Sequence, residues 1–311
     1  MEKGRSVFFD ALIILKQKQC CFFVMKKILV IADIGWSIGR VHNDVALALR
    51  DVFEFKFVNQ SSFIFQEVQS ELNTYDACLT THNVHEAVIR QFNLTTPEQQ
   101  RKLVVVCHGH NELAQKYNWS RYITYGVVSD ILLPHVPIGT HVVPNGVNPA
   151  LFTHKNCHGT IKTLGWCGVR YVPIKRADWP TEIARKSHLP VSIAESLSFE
   201  DVKKWYHTID ILLVTSGPEV FGETGPLPPF EAIVSGIPVI GTNVGNFSKV
   251  PGPKFSTTDE AALILAELKE DPERVKNLAT EQYNWVMENW TYSTHAKAWK
   301  NMFDAAIAFQ Q

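Results

Sequence analysis

"DILLVTSGPEVFGETGPLPPFEAIVSGIPVIGT" (210–242) contains a complete strand–helix–strand unit. Its two continuous apolar runs, 210–215 and 237–242, are typical of strands that are buried on both faces of a parallel sheet. Pro228 and Pro229 suit the start of a helix, and Gly236 ends that helix before the second strand. This stretch therefore predicts two parallel strands joined by a helical crossover.

The same alternation of apolar runs and helical patterns extends over most of the 311 residues. The other predicted strands are 27–33, 53–58, 76–81, 102–107, 125–130, 140–145, 163–168 and 191–196, and the other predicted helices are 41–51, 84–92, 175–187, 199–208, 258–270 and 272–288. A polar, turn-rich stretch at 145–160 divides them into two series. We therefore predict an α/β fold with two Rossmann-like, doubly wound parallel-sheet domains facing a cleft.

The composition limits the function classes. The formal net charge is -1, which gives no electrostatic reason to expect a nucleic acid or an anionic membrane surface as a partner. The six cysteines include no C-x-x-C pair, and Cys78, Cys107 and Cys167 lie in predicted strands. Reduced, buried thiols and a cytoplasmic location are therefore expected.

Residues 1–24 are treated separately from the core fold. They are apolar, but Asp10, Lys16 and Lys18 interrupt them, so they are too broken for a membrane span. Since "KKILVIAD" supplies the first strand directly after Met25, we expect an N-terminal extension outside the fold. A chain beginning at Met25 is predicted to fold and to remain active.

Two glutamates in the opening stretch indicate a ligand. Glu223 lies in a Gly/Pro-rich loop, Glu231 lies in the first turn of the next helix, and the backbone N–H groups of Gly225 and Leu227 come between them. Carboxylates accept hydrogen bonds from hydroxyls, whereas backbone amides donate to phosphates. This pattern predicts a site for a phosphorylated, polyhydroxylated ligand.

Cations and glycines follow other strands at the same predicted sheet edges. Arg170, Lys175 and Arg176 come after the strand at 163–168, where they could hold a diphosphate or form a solvated basic turn. Gly35 and Gly39 open the first helix, where they could present backbone amides to a ligand or form a plain turn. Their spacing does not match G-x-G-x-x-G, so no nicotinamide cofactor is expected.

Histidines follow two neighbouring predicted strands: His82 and His85 after one, and His108 and His110 after the other. They lack a matching set of acidic or cysteine ligands, which favours a histidine that hydrogen-bonds a ligand over a metal site. For His82 and His85 a structural role is the leading interpretation. No metal and no cofactor are expected.

The chain resembles the retaining glycosyltransferases of the GT-B fold, most closely glycosyltransferase family 4. Glu223 and Glu231 match that family's Glu-x7-Glu motif. The other matching segments are "FEAIVSGIPVIGTNVG" (230–245), "VVPNGVNPALF" (142–152), "GVRYVPIKR" (168–176), "VVVCHGH" (104–110) and "NWTYSTHAKAWKNMF" (289–303). An extra valine before Arg170 leaves the register of the cationic clamp open. Glu219 could replace Glu223 as the first glutamate, and Asn246 stands where the family has a second glycine.

The resemblance implies a domain order of an acceptor-side domain at 25–150, a donor-side domain at 151–288 and a terminal helix at 289–311 that packs back on the first domain. It implies that Glu231 holds the ribose of a nucleotide-sugar and that Glu223 contacts the donor sugar. Arg170 and Lys175, or Arg176 in a shifted register, would neutralise the diphosphate, and His108 would line the sugar site from the opposite domain.

The implied reaction is metal-independent transfer of a sugar, in glycan biosynthesis, to a carbohydrate or lipid-linked acceptor or to a protein-linked sugar. No transmembrane segment is expected, and peripheral membrane contact stays open. Two alternatives remain, a non-hydrolysing sugar-nucleotide epimerase and an inactive sugar-nucleotide-binding module.

Overall fold

A computed structural model of the protein describes residues 25–33, 35, 37–59, 73–81, 96–109, 119–217 and 222–310. The extension at 1–24 and the predicted helix at 84–92 lie outside these residues. The described strands are β1 (Lys26–Ala32), β2 (Phe53–Asn59), β3 (Ala77–Thr81), β4 (Leu103–Cys107), β5 (Thr124–Val127), β6 (His141–Val142), β7 (Leu164–Cys167), β8 (Val191–Ala194), β9 (Ile211–Val214) and β10 (Val239–Gly241).

The described α-helices of two or more turns are α1 (Ser37–Leu49), α2 (Trp179–Ser187), α3 (Phe199–Tyr206), α4 (Pro228–Val234), α5 (Thr258–Glu270), α6 (Pro272–Asn289) and α7 (Tyr292–Ala308). A single helical turn covers Pro97–Gln100, and 3-10 helices cover Asp130–His135, Pro149–Leu151, Pro173–Lys175 and Gly245–Lys249. Within the described part of the chain, no helix combines the length and the apolar character needed to cross a bilayer.

The strands form two separate parallel sheets. The first sheet has the order β2-β1-β3-β4-β5-β6, and the second has the order β10-β9-β7-β8. Strand order reverses between β1 and β3 in the first sheet and between β7 and β9 in the second. Ligands of open parallel sheets bind beside such reversal points, at the carboxyl ends of the strands. The predicted pair of doubly wound domains is confirmed.

Each face of the first sheet has its own core, because successive strand residues point to opposite faces. Ile28 and Val30 of β1 pack with Trp299 and Phe303 of α7 on one face. Leu29 belongs to the cluster on the other face. This two-sided burial accounts for the continuous apolar runs in the sequence.

The chain passes between the domains twice, and the two crossings pair with each other. Val147 N donates to Trp290 O at 3.0 Å, and Tyr292 N donates to Val147 O at 3.0 Å. A Cβ on Gly146 would lie 2.3 Å from Tyr292 N, so only glycine allows this approach. Beyond this point α7 packs on α1 and on the first sheet, and Trp299 Nε1 donates to Pro144 O at 3.1 Å.

Two predicted helices begin at different residues in the structure. α1 begins at Ser37 rather than residue 41, which places Gly39 inside the first helical turn instead of in a turn before the helix. The predicted helix at 175–187 begins only at Trp179, because Arg176 has left-handed backbone angles (φ 45°) that interrupt a right-handed helix. Lys175 therefore lies in a 3-10 turn, where its side chain is oriented independently of α2.

Candidate active-site cleft

The candidate site lies between the two domains, where the loops after β4, β7 and β9 meet. His108 follows β4, Lys175 follows β7, and Glu223 lies between β9 and α4. Thr224, next to Glu223, donates its Oγ1 hydrogen to the His108 carbonyl at 2.6 Å. This bond joins the loop that carries the first glutamate directly to the opposite domain.

Glu231 is buried in the first turn of α4, with 7% of its side chain exposed. Its Oε2 accepts a hydrogen bond from the Tyr206 hydroxyl at 2.9 Å, and its Oε1 lies 3.0 Å from Nη2 of Arg40. Burial, reinforced by the Glu231 carboxylate, raises the pKa of Tyr206 well above its usual value, so the hydroxyl stays protonated and donates. Both carboxylate oxygens of Glu231 therefore have a partner, one of which, Arg40, comes from α1 in the other domain.

Glu223 forms an ion pair with Lys175 and accepts a hydrogen bond from Ser216 Oγ at 3.2 Å. A hydrogen bond joins the loop after β7 to the end of β9, because Thr215 Oγ1 donates to the backbone carbonyl of Lys175 at 2.8 Å. Trp166 Nε1 donates in turn to Thr215 Oγ1 at 2.9 Å. This chain of bonds from β7 and β9 holds a cation beside the first glutamate.

The turn that follows β10 packs against the backbone of the Glu223 loop. Gly245 has a φ of 44°, and a Cβ there would lie 2.2 Å from Thr224 O and 2.5 Å from Glu223 O. Asn246 N donates to Thr224 O at 2.8 Å, and Asn246 Nδ2 donates to Val128 O of the first domain at 2.9 Å. Asn246 thus links the Glu223 loop both to the turn after β10 and to the first domain.

His108, which is half-buried, lies beside the buried His42 of α1. Their ring centroids are 5.4 Å apart, and His42 is also 6.0 Å from the Trp299 ring. Burial lowers the pKa of His108 to about 4. It also lowers the pKa of His42 well below the usual value, with a smaller contribution from His108. Both imidazoles are therefore neutral near pH 7, and His108 would meet a ligand in its uncharged form.

The predicted cationic cluster is divided in the structure. Lys175 reaches Glu223, whereas Arg170 pairs with Glu195 through Nε at 2.9 Å and keeps 58% of its side chain exposed. The guanidinium of Arg176 lies 4.5 Å from the centroid of the Trp179 ring. Among the contacts of the described residues, Lys175 is the cation that pairs with Glu223.

The remaining predicted residues line the cleft walls. Gly39 is buried in the first turn of α1, next to Arg40. Leu227 borders a small cavity between the domains that also contains Arg40 and Glu231. Gly225 lies close to the segment that follows β6, since a Cβ there would be 3.1 Å from Asn145 Nδ2.

Two cavities open onto these side chains. The first is lined by Arg40, Asp44, Asn148, Phe199, Leu227 and Glu231, and the second by Trp166, Cys167, Lys175, Ser216, Glu223 and Pro228. Burial and the nearby Glu231 carboxylate raise the pKa of Cys167 to about 12. The thiol is therefore protonated and neutral between the two glutamate sites.

Several predicted residues lie outside the described part of the chain. These are His82, His85 and His110, together with Glu219, the alternative first glutamate. Among the residues that are described, no group of three or more His, Cys, Asp or Glu side chains is arranged to hold a metal ion.

Sequence reasoning missed four cleft residues: Arg40, Tyr206, Ser216 and Thr224. Arg40 could have been identified from the sequence, because it directly follows Gly39, which was already considered for ligand contact. Thr224 and Ser216 lie close to Glu223 in sequence, but nothing local indicates their partners. Tyr206 lies at the end of α3, and no local pattern distinguishes it from a core tyrosine.

No protein-family model matches the chain, and no curated protein matches its sequence. Its fold is similar to that of Anabaena HepE in complex with UDP and glucose, with a TM-score of 0.66 and 14% identity over 90% of this chain and 100% of that chain. The catalytic domain of starch synthase IV from Arabidopsis thaliana, bound to ADP and acarbose, gives a TM-score of 0.62 at 11% identity, covering 91% of this chain and 99% of that chain. AviGT4, a glycosyltransferase involved in avilamycin A biosynthesis, gives 0.59 at 15% identity, covering 90% of this chain and 98% of that chain. With its two parallel-sheet domains, the chain has the GT-B fold.

Proposed function

We propose that the protein is a retaining glycosyltransferase of the family 4 type, which moves a sugar from a nucleotide-diphosphate sugar to a carbohydrate or lipid-linked acceptor. The observation that carries the proposal is the pair Glu223 and Glu231, held in one cleft with Lys175 beside the first glutamate. HepE was solved with UDP and glucose, and starch synthase IV with ADP, which supports a nucleotide-linked donor on this fold.

In this proposal Glu231 binds the ribose hydroxyls and Glu223 contacts the donor sugar. Lys175 stabilises the nucleoside diphosphate as it leaves. One cation about 4 Å from a developing unit charge is worth roughly 4 kcal/mol at an effective dielectric of 20. Because that charge grows during the reaction, the interaction favours the transition state over the bound donor.

His108 faces the sugar from the opposite domain as a neutral imidazole. Its carbonyl already accepts a hydrogen bond from Thr224, so its position depends on how the two domains meet. We expect the reaction to need no metal ion and to take place in the cytoplasm.

Isothermal titration with UDP, ADP and GDP tests the donor site. We expect at least one nucleotide to bind, and Glu231→Ala to weaken that binding at least tenfold, because the variant removes the ribose acceptor. Tyr206→Phe should cost about fivefold, since a single hydrogen bond contributes roughly 1 kcal/mol. Glu267→Ala is the matched control, because Glu267 is an exposed glutamate on α5 that pairs with Arg274. Equal affinities of wild type and Glu231→Ala would contradict the assignment.

Product analysis tests the reaction class. Incubation with the matching nucleotide-sugar should yield a transferred or hydrolysed sugar that retains its anomeric configuration, and the rate should persist in EDTA. An epimerised free sugar-nucleotide would favour the epimerase alternative. Inversion at the anomeric carbon would refute the retaining mechanism.

A further inference from the structure

One side chain of the first domain occupies the Glu231 end of the cleft. Arg40 extends from α1, and its guanidinium carbon lies 3.9 Å from the centroid of the Phe199 ring. Its Nη2 lies 3.0 Å from Glu231 Oε1. A single planar group therefore lies over an aromatic ring of the opposite domain and donates to a carboxylate of that domain.

A nucleoside presents the same two chemical features. Its base is a flat ring that stacks on aromatic side chains, and its ribose hydroxyls donate to carboxylates. Guanidinium groups also stack on aromatic rings and donate N–H groups to carboxylates. Since Tyr206 already donates to Oε2 of Glu231, a ribose hydroxyl would have to compete with Arg40 for Oε1.

We propose that Arg40 fills the nucleoside position of the donor site and is displaced when the donor binds, after which Phe199 stacks against the base. This inference rests on the proposed function, because it assigns the ribose to Glu231. It adds a residue that stacks the base and an interdomain contact that donor binding breaks.

Arg40 has a second acceptor available on its own helix. Asp44 follows it by four residues, lines the same cavity and interacts with it electrostatically. The Asp44 carboxylate also accepts a hydrogen bond from Asn148 Nδ2 at 2.9 Å, which holds it in place. If the Arg40 guanidinium is displaced from Glu231, it can therefore pair with the Asp44 carboxylate one turn further along α1.

The test measures affinities for UDP, ADP and GDP by isothermal titration in wild type and in three variants. Arg40→Gln removes the competing guanidinium, and we expect it to bind the preferred nucleotide about three- to tenfold more tightly. Phe199→Leu keeps an apolar side chain without the ring, and we expect affinity to fall at least fivefold. Lys249→Met is the control, because the Lys249–Asp130 pair at 2.9 Å also joins the two domains without touching Glu231. Its affinity should stay within twofold of wild type.

The outcomes separate this inference from the proposed function. Weaker or unchanged nucleotide binding in Arg40→Gln, with binding still dependent on Glu231, would overturn the inference and leave the donor site in place. Weaker binding would identify Arg40 as a donor contact. If no nucleotide binds the wild type or Arg40→Gln, the proposed function and this inference both fail. If Arg40→Gln does not fold, Arg40→Met decides, because it keeps an unbranched side chain without a donor for Glu231 and should bind the preferred nucleotide more tightly than wild type.

Discussion

Acidification should destabilise the first domain through two neutral histidines. The folded pKa of His108 is about 4, against an ordinary value of 6.5. Between these two values the unfolded chain binds a proton that the folded chain does not. The stability contributed by a neutral His108 is therefore complete above pH 6.5 and is lost as the pH falls towards 4. His42 acts in the same direction, because burial also lowers its pKa.

The size of the effect follows from these two pKa values. Between pH 7 and pH 5, linkage gives a loss of about 2 kcal/mol of unfolding free energy for His108. A change of 1 kcal/mol shifts the melting temperature of a domain of about 150–250 residues by roughly 2–4 °C. His108 alone should therefore lower the melting temperature by about 4–8 °C over this range, and His42 should add to the loss.

Thermal unfolding followed by circular dichroism at pH 5, 6, 7 and 8 measures this pH dependence of the melting temperature. His108→Gln and His42→Gln should each show a smaller loss between pH 7 and pH 5 than wild type, because glutamine does not titrate. His158→Gln is the control, since His158 is exposed at the surface, and it should keep the wild-type dependence. If His108→Gln loses as many degrees as wild type, the imidazole is not buried in neutral form.

Two further predictions concern the loops of the cleft. Gly245→Ala should weaken binding of the preferred nucleotide at least tenfold, because its Cβ would lie 2.2 Å from Thr224 O and displace the Glu223 loop. Gly139→Ala is its control, since Gly139 also has a positive φ (90°) but nothing lies within 4 Å of its added Cβ. Similar affinities in these two variants would argue against the steric explanation. Lys175→Met should lower turnover at least a hundredfold with little change in donor affinity, whereas Arg170→Met should stay within about threefold, because Arg170 pairs with Glu195 away from Glu223. Equal losses of turnover in the Lys175 and Arg170 variants would place the diphosphate beside both cations.

The sheets and most of the helices could be predicted from sequence because their signals are local. Every described strand overlaps a predicted apolar run, including the two-residue β6 inside 140–145. α4 begins at Pro228 and ends before Gly236, whose φ of 84° and close approach to Lys155 O exclude a side chain. Periodicity, proline and glycine act through the neighbouring backbone, so the sequence alone carries these signals. The left-handed backbone conformation of Arg176 could not be predicted, because a non-glycine residue in that conformation has no such signal.

The partners of the cleft glutamates are set by contacts between segments that are distant in sequence. Glu223 and Glu231 could be paired from their spacing, because one loop and one helical turn join them. Their partners could not be predicted in this way, since Arg40 reaches Glu231 from the other domain and Tyr206 reaches it from α3.

Arg170 and Lys175 show the same limit at close range. Both are cations that follow β7, and the sequence gives no reason to separate them. The tertiary structure places Glu195 beside one and Glu223 beside the other. Charge and helix periodicity are properties of the chain itself, whereas the partner of a charged side chain is set by the packing of elements far apart in sequence.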